Sequence, residues 1–88
     1  MCFIADQYML LKTSAECSSS DELLAEDLST VESCAGWCKK TDGCQYFVFG
    51  VADGATGKCY WEKTVQADCQ EGWVDDARYS FYGLNGAL

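Results

Sequence analysis

The chain has 88 residues, which is enough for one domain and too few for two. Its formal net charge is −8, and it contains seven cysteines and no histidine. The acidic balance argues against nucleic acid and anionic membrane surfaces as partners, because both attract basic proteins. The charge is compatible with a basic protein partner or a neutral sugar as ligand. In the alternative interpretation, the charge only keeps the domain soluble.

The cysteines indicate the compartment. A core of this size supplies only a few kcal/mol, and small domains commonly add disulfides. Disulfides form in oxidising compartments, so we expect a secreted, extracellular or organelle-lumenal protein. The positions 2, 17, 34, 38, 44, 59 and 69 contain no CxxC pair. A zinc site of four cysteines is the less favoured alternative.

The sequence contains no recognisable catalytic constellation. Without histidine there is no Ser-His or Cys-His pair, and no glycine-rich phosphate loop is present. The x3 spacing of Cys34 and Cys38 differs from a redox CxxC motif. Asp53, Asp75 and Asp76 lack the spaced-ligand pattern of a calcium loop. We therefore expect no enzyme, no cofactor and no metal.

The start of the chain does not have the pattern of a signal peptide. Met1–Ala5 is followed at once by Asp6 and Gln7, with no basic start and no long apolar run. The longest apolar stretch, Tyr46–Ala52, is far shorter than the roughly 20 residues of a membrane-spanning helix. We interpret the chain as a mature form or a segment of a longer secreted precursor.

The first third of the chain predicts one strand and one long connection. Gln7–Lys12 is apolar enough to form a first strand. Thr13–Asp21 is polar and serine-rich, which predicts a loop. The following segment, Asp21–Leu28, predicts a helical turn or an extended link.

A helix is predicted over Thr30–Lys40. Ser29 and Glu32 have the spacing of a capping box, in which each side chain bonds a free amide of the first turn. Cys34 and Cys38 are four residues apart and share one helical face, so we expect both to be buried.

The rest of the chain predicts three strands. Cys44–Val51 is apolar on both faces, which favours a position inside a sheet. A hairpin loop leads to a return strand, Lys58–Lys63, and the acidic connection Thr64–Ala77 leads to a final strand, Arg78–Gly83. The expected architecture is a single α+β domain over 1–88, with one helix on an antiparallel sheet.

These elements suggest how the cysteines pair, although seven cysteines allow on the order of 100 pairings. Cys38, at the end of the helix, lies close to Cys44 at the start of the next strand. Cys34 faces the return strand, which contains Cys59. The two long connections contain one cysteine each, Cys17 and Cys69. The suggested bridges are Cys38–Cys44, Cys34–Cys59 and Cys17–Cys69. Cys2 is left unpaired or available to another chain.

One series of residues has a familiar order: Thr-Val-Glu-Ser-Cys34-x3-Cys38-x5-Cys44-x2-Phe47-x-Phe49, a hairpin loop, and Gly57-Lys-Cys59-Tyr60. It resembles the PAN/apple domain family over about residues 7–84. The resemblance implies a helix cradled by a curved antiparallel sheet. It also implies the pairs Cys34–Cys59 and Cys38–Cys44, and an outermost pair that maps to Cys17–Cys69, which lie inboard of the terminal strands.

The expected function is non-catalytic binding of a protein or a carbohydrate outside the cytoplasm, because the resemblance implies both ligand types. The alternative is an extrinsic accessory subunit held on the oxidising side of a larger complex. Trp73 and Trp37, with Asp75 and Asp76, are the candidate ligand-binding residues, and we expect a concave site near the two tryptophans. The competing interpretation is that both rings pack on the core, as Trp61 is expected to do.

Overall fold

The computed structural model describes residues 8–84, which form one helix and one five-stranded antiparallel sheet. The strand order is β1-β5-β3-β4-β2, and each neighbouring pair is antiparallel. The predicted α+β class, with one helix packed on an antiparallel sheet, is confirmed. The elements are β1 (Tyr8–Cys17), β2 (Asp21–Ala25), α1 (Val31–Lys40), β3 (Tyr46–Gly50), β4 (Cys59–Glu62) and β5 (Trp73–Leu84).

The central strand β3 is buried on both faces, as its composition predicts. All five of its residues are buried. Phe47 and Phe49 pack on the side of the sheet that α1 covers, and Tyr46 and Val48 pack on the opposite side. The sheet therefore has two covered faces, which we call the helix face and the ribbon face.

The helix begins one residue later than its capping pattern suggests. Thr30 is the N-cap, with an extended backbone, and its Oγ1 accepts a hydrogen bond from the Ser33 amide at 3.2 Å. The predicted Ser29–Glu32 capping box is wrong, because the shift by one residue places Ser33 rather than Glu32 at the third helical position. The buried side of α1 includes Cys34 and Cys38, as expected.

Two disulfides hold α1 on the helix face. Cys34 bonds Cys59 of β4 across a sequence separation of 25 residues. Cys38 bonds Cys44 across six residues and joins the last helical turn to the start of β3. Both bridges match the pairs expected from the sequence. All four cysteines are buried.

Three predicted connections are strands in the structure. β1 continues through the predicted loop Thr13–Asp21 as far as Cys17, and the segment predicted as a helical turn or an extended link contains β2. β5 begins at Trp73, inside the predicted connection Thr64–Ala77. The strands were missed because β1 and β2 are the edges of the sheet and Trp73–Asp75 pairs only with β1, so strand composition there resembles that of a loop.

The pairing of β1 with β5 contains a large irregularity. Thr13 is the partner of Ser80, but Ala15 is the partner of Asp75, so β5 has four residues, 76–79, where β1 has only Ser14. Ser14 has a positive φ of 55° at this point. Bulges of this kind bend a strand pair sharply.

The bend folds one end of the strand pair onto the ribbon face. The rings of Trp73 and Phe81 are 4.9 Å apart, although eight residues of straight strand would separate them by about 26 Å. The folded end, which we call the folded ribbon, consists of Ala15–Cys17 paired with Trp73–Asp75. It packs on the core that contains Tyr46 and Phe81.

The third disulfide, Cys17–Cys69, joins the folded ribbon to the loop between β4 and β5 across 52 residues. It is the third pair expected from the sequence. The predicted unpaired Cys2 lies outside the described residues. Among residues 8–84, no helix is long and apolar enough to cross a membrane.

Candidate functional site

Trp37 is displayed on the outer side of α1. Trp37 is 41% exposed, and the Nζ atom of Lys40 lies 4.6 Å from the centre of its ring. The inner side of the same helix is fixed by Cys34 and Cys38, which are both in disulfides. The indole is thus presented on a helix that is covalently joined to the sheet.

A second tryptophan lies at the C-terminal end of α1. Gly43, just after the helix, is close enough that an added Cβ would lie 3.5 Å from the ring of Trp61. Trp61 is half-buried against the helix-face core, and the Nζ atom of Lys63 is 4.6 Å from its ring. Lys63 also forms an ion pair with Glu22 at 3.2 Å. This end of the helix therefore combines aromatic rings with ammonium groups.

Trp73 lies in a strand rather than in the predicted connection, and its ring packs on the core, as the competing interpretation predicts. It is the first residue of β5, half-buried, and meets Phe81 edge-to-face. The Nζ atom of Lys12 lies 5.4 Å from its ring. Trp73 packs on the ribbon face, whereas Trp37 stands on the helix that covers the other face. The structure therefore does not bring the two tryptophans together, because the sheet lies between them.

The two candidate aspartates also differ from each other. Asp75 is exposed. Asp76 accepts two hydrogen bonds from the Arg78 guanidinium, at 2.9 and 2.8 Å, and these bonds hold the pKa of Asp76 well below its usual range. Asp76 is therefore already hydrogen-bonded to Arg78, and neither aspartate lies beside Trp37.

A cluster of acidic side chains lies where the folded ribbon meets the sheet, and the sequence analysis did not identify it. One carboxylate oxygen from each of Glu16, Asp21 and Glu62 lies within 4.8 Å of the other two. Glu62 is completely buried. Its Oε1 accepts a hydrogen bond from the Ser19 hydroxyl at 3.0 Å, and its Oε2 has no hydrogen-bond partner among the described residues.

Two of these carboxyl groups have raised pKa values. Burial is the main cause for Glu62, whose pKa rises to about 8, with further contributions from the acids Asp21, Glu16 and Glu71. The pKa of Glu16 rises to about 7, first through burial and then through its hydrogen bond with Asp76.

A neighbouring group of possible metal ligands is excluded by its chemistry. Cys17 and Cys69 lie near Glu71, but their sulfurs are joined in a disulfide and cannot act as thiolate ligands. Glu71 accepts a hydrogen bond from the Thr64 hydroxyl at 2.8 Å. The candidate ligands on this side of the molecule are therefore the carboxylates alone.

Some signals for these features were present in the sequence. Trp37 and Lys40 are three residues apart, a spacing at which helical side chains meet. Glu62 alternates with Trp61 and shares the face of Tyr60, which places it on the ribbon face. Its burial had no local signal, because it depends on the folding of the distant β1–β5 pair over that face.

No protein-family model, no curated protein and no solved structure matches this chain.

Proposed function

We propose that the domain is a non-catalytic binding module of an extracytoplasmic protein, and that it contacts a protein or a carbohydrate through Trp37 and the surface around it. The observation that carries the proposal is an exposed indole on a helix held by two disulfides. Tryptophan is one of the side chains most enriched in the energetic centres of interfaces.

The surroundings of Trp37 suit a ligand with both apolar and polar groups. An indole ring packs well against a sugar ring or an apolar side chain. The Lys40 ammonium, 4.6 Å from the ring, supplies hydrogen-bond donors for hydroxyl, carbonyl or carboxylate groups. Because α1 is cross-linked to the sheet, binding orders few additional groups, which lowers the entropic cost.

The extracytoplasmic part of the proposal is supported by the disulfides. Three bridges in a chain of 88 residues are typical of domains that mature in an oxidising compartment. The resemblance to PAN/apple domains supports the same location and the same two ligand classes. We propose that the chain is a member of that family.

The test uses the oxidised domain on a glycan array and on an array of extracellular proteins. We expect a ligand on one of them, with an affinity that Trp37→Ala weakens by roughly 30-fold, because a hot-spot residue contributes about 2 kcal/mol or more. Val65→Ala, at a site that is 76% exposed, is the matched control and should bind as wild type. Circular dichroism checks that both variants stay folded.

Two results would contradict this proposal. One is the absence of a ligand on both arrays. The other is a ligand that Trp37→Ala binds as tightly as the wild-type domain does, which would place the contact elsewhere.

The second candidate function is that of an accessory subunit in a larger assembly, and the exposed edge of the sheet supports it. Met9 and Leu10 lie on the edge strand β1 and are 52% and 49% exposed. An edge strand with exposed apolar side chains can add to a neighbouring sheet. Native mass spectrometry of the protein from its own source should then show a fixed stoichiometric complex, and a free monomer would exclude this candidate.

A further inference from the structure

The acidic cluster brings together three elements that are separate in the sequence. Glu16 comes from the folded ribbon, Asp21 from the first residue of β2, and Glu62 from the last residue of β4. Asp21 and Glu62 are direct partners in the β2–β4 pairing, and Glu16 approaches them because the ribbon folds over. The three carboxylates therefore converge through the fold rather than through a local loop.

Glu62 is the member of this cluster that needs a partner. Its carboxyl group is completely buried, and Oε2 has no hydrogen-bond partner among the described residues. A buried carboxylate is costly unless it is paired, protonated or bound to a cation. Neither the Lys63–Glu22 nor the Arg78–Asp76 ion pair gives Glu62 a basic partner, and Arg78 acts on the cluster only through Glu16.

We propose that the carboxylates of Glu16, Asp21 and Glu62 bind one Ca²⁺ ion. Calcium binds oxygen ligands at about 2.3–2.6 Å, so two ligands on opposite sides of the ion lie about 5 Å apart. The oxygens of the cluster lie within 4.8 Å of one another, which fits around one such ion without a large rearrangement. The ligands are all oxygens, which favours a hard cation.

The remaining coordination positions are open to water. Calcium takes six to eight oxygen ligands, which include water beside carboxylates and carbonyls. Asp21 is exposed, so water reaches the cluster from one side. A site of this kind belongs with extracellular calcium sites, whose dissociation constants are about 0.1–1 mM.

Calcium binding has a structural consequence that can be measured. The ion would join the folded ribbon to β2 and β4 and so fix the ribbon on the sheet. We expect calcium to raise the melting temperature and to slow amide exchange in Ala15–Cys17, whereas α1, on the other face, should change less.

The test is a calcium titration of the oxidised domain, freed of metal with a chelator, by isothermal calorimetry and thermal unfolding at pH 7.5. We expect one site with a dissociation constant of about 0.1–1 mM and a higher melting temperature in 10 mM CaCl₂. Glu62→Gln, which keeps the shape but cannot supply a carboxylate ligand, should weaken binding at least tenfold. Asp53→Asn, in the exposed hairpin loop, also replaces a carboxyl group with an amide and should bind calcium as wild type does.

Three outcomes would overturn the proposal. Wild type could show no calcium binding up to 10 mM, Glu62→Gln could respond as wild type does through general charge screening, or MgCl₂ could bind in place of CaCl₂. Trp37→Ala should bind calcium normally, so this result is distinguishable from a failure of the proposed binding function.

Discussion

The two faces of the sheet are covered in different ways. The helix face is covered by a short helix and closed by two bridges that span 25 and six residues. The ribbon face is covered by the bent end of the β1–β5 pair and closed by one bridge that spans 52 residues. The helix face has an apolar core, whereas a completely buried glutamate lies on the ribbon face.

The helix face is therefore a rigid scaffold, whereas the ribbon face is a layer that can change with solution conditions. The helix face is closed by bridges that are shorter in sequence than that of the ribbon face, and it presents Trp37 in a fixed position. The ribbon face depends on distant segments and contains carboxyl groups whose charge changes with solution conditions. We therefore expect the ribbon face to respond to pH and cations, and the helix face to respond little to either.

The largest expected effect comes from removing the bridge of the ribbon face. The chain-entropy model gives about 4 kcal/mol for a bridge that closes a loop of this length, so we expect Cys17→Ala/Cys69→Ala to lose about that much free energy of unfolding. The short Cys38–Cys44 bridge should contribute only about 2 kcal/mol in the same model. Urea unfolding of both double variants measures the two losses.

Hydrogen exchange on the same variants tests whether the faces are separable. In Cys17→Ala/Cys69→Ala, the amides of Ala15–Cys17 should lose more protection than those of α1. Equal losses in both regions would show that the two faces unfold as one unit, which would contradict a separate response of the ribbon face.

The next effect is a dependence of stability on pH in the metal-free domain. The pKa of Glu62 is about 8 in the folded state against 4.5 for the ordinary group. Between these values the folded protein keeps a proton that the unfolded chain has lost, so the free energy of unfolding falls as pH rises from about 4.5 to 8. The loss is on the order of 2–4 kcal/mol.

Urea unfolding at pH 5, 6.5 and 8 with a chelator present measures this slope. Glu62 faces the acids Glu16, Asp21 and Glu71 and the Ser19 hydroxyl, so no described basic group offsets its ionisation. Glu62→Gln should reduce the slope, most clearly between pH 6.5 and 8, whereas Glu16, whose pKa is about 7, should retain part of the slope at lower pH. Asp53→Asn should leave the slope unchanged. A wild-type domain that is equally stable at pH 5 and pH 8 would refute the prediction.

The smallest effect concerns the start of α1. Thr30→Ala removes the side chain that accepts from the Ser33 amide, which should cost about 1 kcal/mol. Ser29→Ala should change the free energy of unfolding by less than about 0.5 kcal/mol, since Ser29 is exposed and is not the cap. Urea unfolding compares the two, and a larger loss for Ser29→Ala would place the cap one residue earlier.

The sequence was a good guide to the helix face because its signals are local. The four-residue spacing of Cys34 and Cys38 predicted a buried helical stripe, and the apolar run of β3 predicted a central strand. The three bridges followed from the order of these elements and from the family resemblance. The start of the helix was missed by one residue because Ser29 and Thr30 are both good capping residues.

The ribbon face was not predictable in the same way. Whether Ala15–Cys17 forms a strand depends on pairing with Trp73–Asp75, some 60 residues away, and the bend depends on a register shift that leaves no local pattern. Trp73 therefore looked like a loop residue available to a ligand, and Glu62 looked like an ordinary surface acid. The positions of Trp73 and Glu62 both depend on the folding of the ribbon over this face of the sheet.

The three bridges are concentric along the chain, with Cys38–Cys44 inside Cys34–Cys59 and both inside Cys17–Cys69. A protease that cuts one peptide bond anywhere between residues 17 and 69 therefore releases no fragment, because the outermost bridge still joins the two pieces. A domain with this topology can be nicked in an exposed loop and keep its sheet and its displayed indole together until the bridges are reduced.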